Sequence, residues 1–274
     1  MLPLAGLVDS HCHLDRLDLT SYDQNFNAMM KATRDAGVSH MLCIGVDLET
    51  FPDVRTLAEQ HANVHCTVGV HPLYKDSREP TVTELVELAQ HPRVVAIGET
   101  GLDYFYAKGD NGWQRERFSA HIEAAAQTDL PLVIHTRGAR ADTIAMLREA
   151  AGPQGTGAVR GVLHCFTEDL DMAEQAIALG FRIAISGIAT FNNAAELRDI
   201  IKALPIESLL IETDSPWLAP VPYRGKKNEP RYVVEVAKLV ADLKGLAVQE
   251  VVDRTRENFF SLFSKAQPES ESLT

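Results

Sequence analysis

Two histidines near the amino terminus have the spacing of a metal-chelating pair. His11 and His13 stand one residue apart in the segment DSHCHLD at residues 9–15, which follows the apolar run at residues 2–8. Side chains at alternate positions of an extended chain point to the same side, so the two imidazoles share a face. Paired imidazoles bind zinc and related divalent ions. A motif this short also occurs by chance, so its meaning depends on the other candidate ligands.

Eight short apolar runs alternate with longer segments of helical periodicity. Continuous runs of Val, Ile and Leu are typical of strands buried on both faces of a parallel sheet. The runs predict strands at residues 7–10, 38–46, 64–70, 94–98, 130–134, 161–163, 182–186 and 209–212. Caps and breakers predict helices at residues 22–35, 48–60, 83–90, 113–127, 140–150, 171–179, 194–204 and 230–244. This alternation predicts an α/β fold, a (β/α)8 TIM barrel, with an additional C-terminal helix at residues 248–263.

A doubly wound sheet is the competing fold for such alternation. That fold often has a glycine-rich first turn that binds phosphate groups. The first turn here reads SHCH at residues 10–13 and contains no glycine. The turn therefore favours the barrel.

Length and composition limit the classes of protein that the chain can represent. Its 274 residues are predicted to form one domain over residues 1–266, followed by a disordered polar tail at 267–274. The formal net charge of −12 argues against a broad basic surface for long nucleic acid. No apolar run approaches the roughly 20 residues that span a bilayer, and no signal peptide is evident. The four cysteines form no Cys-x-x-Cys pair, which predicts a reducing, cytoplasmic location.

Candidate metal ligands follow most of the predicted strands. In a TIM barrel the carboxyl ends of the strands form one rim, where the active site lies. Histidines or carboxylates follow the first, fourth, fifth, sixth and eighth runs: His11, His13, Glu99, His135, His164 and Asp214. Four imidazoles and two carboxylates at one rim are enough for two divalent metal ions with open positions for water and substrate.

The remaining histidines are predicted to have other roles. His71 follows the third run, so we expect it to line the pocket and contact substrate without binding metal. Five others lie at strand starts or in helical segments and are predicted to be structural or at the surface: His40, His61, His65, His91 and His121. Asp9, beside the first motif, is a candidate to anchor a ligand histidine.

Six motifs together resemble one enzyme family. They read HCHLD at 11–15, GVHP at 69–72, GETGLDY at 98–104, PLVIHTR at 131–137, HCF at 164–166 and ETDSPW at 212–217. In this order they resemble the TatD family of metal-dependent deoxyribonucleases, and within it the YjjV-type hydrolases. Similar segments, NEP at 228–230 and ENFFSLF at 257–263, extend the resemblance over residues 7–264.

The resemblance implies a TIM barrel that holds two divalent metal ions. One ion would be held by His11, His13, Glu99 and Asp214. The other would be held by Glu99, His135 and His164, with Glu99 bridging the pair. The ions would be zinc, magnesium or manganese.

The expected reaction is hydrolysis of a phosphodiester bond by a metal-activated water. Asp214 is expected to accept the proton of that water, and Glu99 is the second catalytic residue. The substrate would be DNA or a short oligonucleotide. A hydrolase of a small amide, ester or deaminase substrate on the same metal scaffold is the alternative. A metal-binding scaffold without activity is disfavoured, because a closed structural site uses about four tight ligands.

Residues near the rim are candidates for substrate contacts. Arg137 is predicted to bind phosphate, and Glu212 to lie at the substrate side and steady the site. Further cationic candidates for phosphate contacts are Arg140, Arg224, Lys226 and Lys227. Candidates for stacking on a nucleobase are Tyr104, Trp113, Phe166 and Trp217. The sequence leaves the oligomeric state and the choice between exonuclease and endonuclease action undecided.

Overall fold

Eight parallel strands form one sheet in sequence order in the computed structural model, which describes residues 4–152 and 159–266. The strands are β1 (Leu7–Cys12), β2 (Val38–Cys43), β3 (Val64–Val68), β4 (Val94–Asp103), β5 (Leu132–Arg137), β6 (Gly161–Leu163), β7 (Phe181–Ile185) and β8 (Leu209–Ile211). Each predicted strand is present, and the TIM barrel is confirmed. The largest difference is in β4, which continues to Asp103 instead of ending at Gly98. The predicted tail at 267–274 lies outside the described residues.

Helices connect successive strands and surround the sheet. They are α1 (Phe26–Asp35), α2 (Phe51–Gln60), α3 (Val82–Ala89), α4 (Gly112–Thr128), α5 (Arg140–Ala151), α6 (Leu170–Ala178), α7 (Ala195–Ala203), α8 (Val233–Lys244) and the additional C-terminal helix α9 (Val248–Leu262). Helix α1 begins four residues later than predicted, because Asp23 and Gln24 have φ angles of 51° and 61°. These left-handed conformations are incompatible with a continuous right-handed helix. In the described part of the chain, no helix has the length and apolar character to cross a membrane.

Two interleaved apolar clusters form the core. Along β1, Leu7 belongs to the cluster between the sheet and the helices, while the adjacent Val8 belongs to a second cluster. Side chains alternate across a strand, so the second cluster fills the barrel interior. Phe259 of α9 and Phe263, which directly follows the helix, are fully buried in this second cluster. Helix α9 therefore contributes to the core of the barrel as well as covering it.

The barrel closes through hydrogen bonds between the carboxyl end of β1 and the residues that follow β8. The backbone N–H of Asp214 donates to the carbonyl oxygen of His11 at 2.9 Å, and that of His13 donates to Ser215 at 2.8 Å. These bonds bring residues that are about 200 positions apart in sequence side by side. Three candidate ligands, His11, His13 and Asp214, consequently meet at this seam.

Candidate metal centre

Irregular strand pairing directs two of the ligands into the centre. Between β1 and β2, Asp9 pairs with Met41 and Cys12 pairs with Cys43, so β1 contains one extra residue beside His11. Between β4 and β5, Ile97 pairs with Leu132 while Thr100 pairs with Ile134, so β4 contains one extra residue beside Glu99. Such bulges redirect side chains and are common next to active sites.

Close packing of two glycines brings the end of β3 towards Glu99. A Cβ atom on Gly69 would lie only 2.6 Å from the backbone of Gly98. Any larger residue at position 69 would therefore force the strands apart. The absence of a side chain allows His71, two residues later, to approach the carboxylate of Glu99.

Four side chains form the first ligand cluster. The Nε2 atoms of His11 and His13 are 3.3 Å apart. His11 Nε2 lies 3.4 Å from Glu99 Oε2 and 3.6 Å from Asp214 Oδ1, and His13 Nε2 lies 3.5 Å from that same Oδ1 atom. Ligands about 2.1 Å from a tetrahedral zinc ion are about 3.4 Å from one another. These four distances therefore match the spacing of ligands that share one ion.

Three imidazoles surround the other oxygen of Glu99. Its Oε1 atom lies 2.8 Å from His164 Nε2, 3.2 Å from His71 Nε2 and 3.5 Å from His135 Nδ1. Oε2 faces the first cluster, so one carboxylate contacts both groups of ligands. This is the arrangement expected of a bridging ligand.

The ionisation of Glu99 and His11 also fits a cation site. Burial opposes a charge on Glu99, but His164, His71 and His11 outweigh burial and hold its pKa well below the ordinary value. Burial, followed by the charge of His164, lowers the pKa of His11 and favours its neutral form. The Nδ1 atoms of His11 and His13 are buried and have no hydrogen-bond partner among the described residues. With Nδ1 protonated, both Nε2 lone pairs point towards each other, an arrangement that a metal ion stabilises.

Carboxylates behind the imidazoles orient two of them. Asp103 Oδ2 lies 3.0 Å from His135 Nε2, and Glu212 Oε1 lies 3.5 Å from His164 Nδ1. A hydrogen-bonded carboxylate such as Asp103 fixes the orientation of a ligand ring and increases its basicity, whereas Glu212 places a negative charge behind His164. Asp103 was not among the predicted site residues, although it lies four positions after Glu99 in one strand. Glu99 and Asp103 are an even number of positions apart, and this spacing along a strand could have indicated that Asp103 belongs to the site.

Glu212 was predicted at the substrate side and Asp9 as the anchor of a ligand histidine, and both lie elsewhere in the structure. Glu212 is fully buried, accepts a hydrogen bond from the backbone N–H of Cys165 at 2.6 Å, and faces His164 instead of the open rim. Asp9 accepts bonds from the N–H and hydroxyl of Thr213 at 2.8 and 2.6 Å and from the backbone N–H of His11 at 3.4 Å. Among the described residues, its hydrogen bonds therefore join the main chains across the barrel seam and do not reach a ligand ring.

His71 is oriented as a hydrogen-bond donor. Its Nδ1 atom accepts the backbone N–H of Leu73 at 3.1 Å. In the neutral ring the proton is then on Nε2, which faces Glu99 Oε1. His71 also forms, with Glu99 and His135, a group of ligand atoms that could hold a metal ion, so its role as a substrate contact stays a prediction.

Comparison with known proteins identifies the family. The family model of TatD-related DNases matches residues 8–264. The chain belongs to the TatD family. It is 45% identical over 258 residues to the metal-dependent hydrolase YcfH of Escherichia coli (strain K12), a match that covers 94% of this chain and 95% of YcfH. The predicted metal-dependent hydrolase class is thereby confirmed.

Two further relatives connect the family to structure and activity. The 3'-5' ssDNA/RNA exonuclease TatD of Erwinia amylovora is 35% identical over 255 residues, covering 90% of this chain and 96% of that protein. The crystal structure of YjjV, a TatD homologue from Escherichia coli K12, matches with a TM-score of 0.82 and 28% identity, over 95% of this chain and 98% of that one. The resemblance to YjjV is confirmed in fold, while YcfH has the higher sequence identity.

The other histidines of this TatD-family chain lie away from the centre. His121 is fully buried in α4, where Nδ1 contacts the carbonyl oxygen of Arg117 at 2.7 Å and Nε2 accepts the N–H of Val70 at 3.0 Å. It therefore holds the segment that leads to His71. His91 pairs with Glu59 at 3.0 Å. The candidate metal-binding groups in the described residues do not include His40, His61 or His65.

The predicted stacking residues divide into exposed and buried side chains. Trp217 is 47% exposed, and its ring centre lies 4.8 Å from that of His13, at the mouth of the TatD centre. Phe166 is 2% exposed and belongs to the core, so it is not available for stacking. Tyr104 donates its hydroxyl hydrogen to Asp142 at 2.6 Å.

The predicted phosphate-binding cations differ in their contacts and in their exposure. Arg140 forms ion pairs with Glu168 and Asp169, which reduces its capacity to bind phosphate. Arg224 stacks on Phe191, with 3.8 Å between the guanidinium carbon and the ring centre. Arg137 is exposed at the end of β5, two residues beyond His135.

Proposed function

We propose that this TatD-family protein hydrolyses phosphodiester bonds of short or single-stranded nucleic acid at a centre for two divalent metal ions. The observation that carries the proposal is Glu99, whose two carboxylate oxygens each face a separate group of ligand atoms. The first ion would be held by His11, His13, Glu99 and Asp214. The second would be held by Glu99, His135 and His164.

Bound ions would supply Lewis acidity and lower the pKa of a coordinated water. The mixed imidazole and carboxylate ligands favour zinc or manganese, because magnesium prefers an all-oxygen environment. Asp214 is the candidate general base. Burial opposes its charge, but the neighbouring imidazoles of His13 and His11 lower its pKa, so it is available as a carboxylate.

Substrate contacts follow from the groups that surround the ligands. His71 would contact the substrate beside Glu99, and the guanidinium of Arg137 would bind phosphate at the rim. Glu212 would act by positioning His164, because its carboxylate is buried behind that ring. The exonuclease name of the Erwinia relative supports a nucleic-acid substrate. The net charge of −12 disfavours a long duplex.

The proposed location is the cytoplasm. All four cysteines are free, and three of them are buried. Unpaired cysteines are typical of proteins in reducing compartments.

The test is a metal-by-substrate panel on metal-stripped protein. The protein is reconstituted with zinc, manganese or magnesium and assayed on methyl p-nitrophenyl phosphate, a labelled oligonucleotide, a lactone and an anilide. We expect turnover of both phosphodiesters. Turnover of only the lactone or anilide would overturn the proposal in favour of an amidohydrolase activity.

Two variants test the assigned residues. Asp214→Asn should reduce phosphodiester turnover by about 10³-fold or more, within the range of removing a general base. His164→Ala should reduce the metal content per chain, measured by elemental analysis. His91→Ala is the matched control, because that imidazole pairs with Glu59 at the surface. Unchanged metal content in His164→Ala would remove His164 from the ligand set.

A further inference from the structure

Two aromatic side chains are exposed at the mouth of the barrel. Phe105 and Tyr106 follow the end of β4 and are 51% and 58% exposed. Their rings meet edge to face, with 4.8 Å between centres. Adjacent aromatic rings exposed at the active-site rim indicate a surface that another molecule covers.

A cation lies against both rings. The guanidinium carbon of Arg137 is 4.5 Å from the centre of the Phe105 ring and 4.9 Å from that of Tyr106. The ammonium of Lys108 is 5.4 Å from the Phe105 ring centre. Within residues 4–152 and 159–266, no carboxylate forms an ion pair with Arg137 or Lys108. The rings thus hold a guanidinium whose hydrogen-bond donors are not used by an acidic partner.

One carboxylate joins this surface to the metal centre. Asp103 Oδ1 accepts the backbone N–H of Tyr106 at 2.7 Å, while Asp103 Oδ2 lies 3.0 Å from Nε2 of the candidate ligand His135. Arg137 follows His135 by two residues, so the two side chains emerge on the same side of β5. The aromatic surface is therefore adjacent to the reacting centre and fixed relative to it.

We propose that Phe105, Tyr106 and Arg137 form a subsite, the rim clamp, for the nucleotide next to the scissile phosphodiester. In the rim clamp Arg137 binds the neighbouring phosphate, and an exposed ring face stacks on the base. A base can stack in this way only when it is unpaired, so the rim clamp selects a single strand. The inference rests on the proposed function and specifies its substrate.

The test compares two phosphodiester substrates in the metal-loaded, full-length protein. One is a short single-stranded oligothymidylate, and the other is methyl p-nitrophenyl phosphate, which has no neighbouring nucleotide. We expect Phe105→Ala/Tyr106→Ala and Arg137→Ala each to lower the ratio of the two kcat/KM values by about tenfold, mainly through KM for the oligonucleotide. Phe105→Tyr should retain the ratio and Phe105→Leu should lower it, because leucine is apolar but has no aromatic face.

The control is Arg254→Ala. The Arg254 side chain belongs to α9, is 47% exposed, and has its Nη1 atom 3.8 Å from Glu207 Oε1. It should leave both kcat/KM values unchanged. If the parent protein hydrolyses both substrates and the ratio is the same in the rim-clamp variants, only the rim clamp is overturned. If the parent hydrolyses neither, the proposed function is overturned and the rim clamp with it. A sedimentation change in the variants without a change in ratio would assign the surface to contacts between copies of the chain and overturn the rim clamp.

Discussion

Acidification should destabilise the fold through His121. Its Nε2 atom accepts the N–H of Val70 at 3.0 Å, and its Nδ1 atom contacts the carbonyl oxygen of Arg117 at 2.7 Å. A neutral ring satisfies both contacts, while a protonated ring has no acceptor for the Val70 N–H. Burial accordingly lowers the pKa of His121 from 6.5 to about 4.

The size of the effect follows from the difference between the two pKa values. Because the pKa in the folded protein is the lower one, the unfolded chain binds the proton first as the pH falls. The free energy of unfolding therefore falls between pH 6.5 and pH 4 and is no longer affected by His121 below pH 4. At about 1.4 kcal/mol for each pKa unit, the loss from His121 is about 3 kcal/mol.

Urea unfolding of the parent protein and His121→Gln measures this contribution. Glutamine has no ionisable group, so the pH-dependent part of the difference between the two proteins belongs to His121. Both proteins are used in the metal-stripped state. The contributions of their other titrating groups to the free energy of unfolding are then the same and cancel in the comparison. At pH 7 the parent should be the more stable protein, and its advantage should shrink by about 3 kcal/mol at pH 4. An advantage that stays constant with pH would refute the assignment of a neutral, doubly bonded His121.

Two further predictions concern the backbone of β4 and the support of a ligand. Gly101→Ala should destabilise the fold by more than 3 kcal/mol in urea unfolding, because the new Cβ would lie 2.0 Å from a backbone oxygen of β5. Gly109→Ala also has a positive φ but meets nothing within 4 Å, so it should cost only about 1–2 kcal/mol; equal losses would contradict this reasoning. Glu212→Gln should weaken metal binding by about 10- to 100-fold in competition with a chelating dye, because it removes the charge behind His164. Glu207→Gln, an exposed carboxylate on the same segment, should leave affinity unchanged, and an equal effect of both would exclude a positioning role for Glu212.

The barrel could be predicted from the sequence because its strands and helices are indicated by local sequence patterns. The strands are continuous apolar runs, and three helices, α1, α3 and α6, begin at a capping side chain. Thr81, for example, accepts the N–H of Glu84 at 3.2 Å at the start of α3. Convergence of the candidate ligands then followed from the common direction of parallel strands, without any knowledge of distances.

Other features depend on contacts that a single chain segment does not reveal. The bulges in β1 and β4 depend on pairing with the neighbouring strands, so Glu99 was predicted beyond its strand instead of inside it. Glu212 was assigned to the substrate side because alternation along an extended strand places it with Asp214. Its position behind His164 depends on β6, which is far away in sequence. Phe105 and Tyr106 were not predicted as substrate contacts, because the exposure of a side chain is a property of the folded surface.

The extra residue in β1 and in β4 has a consequence for protein engineering. If the ligand residues were placed on an idealised barrel with regular strands, some of their side chains would point to the helix-facing side of the sheet. This is because each bulge reverses the alternation of side chains beyond it. A successful graft must carry both irregular strands along with the side chains. The same reasoning predicts that one-residue deletions at these two places would be far more damaging than substitutions of neighbouring residues.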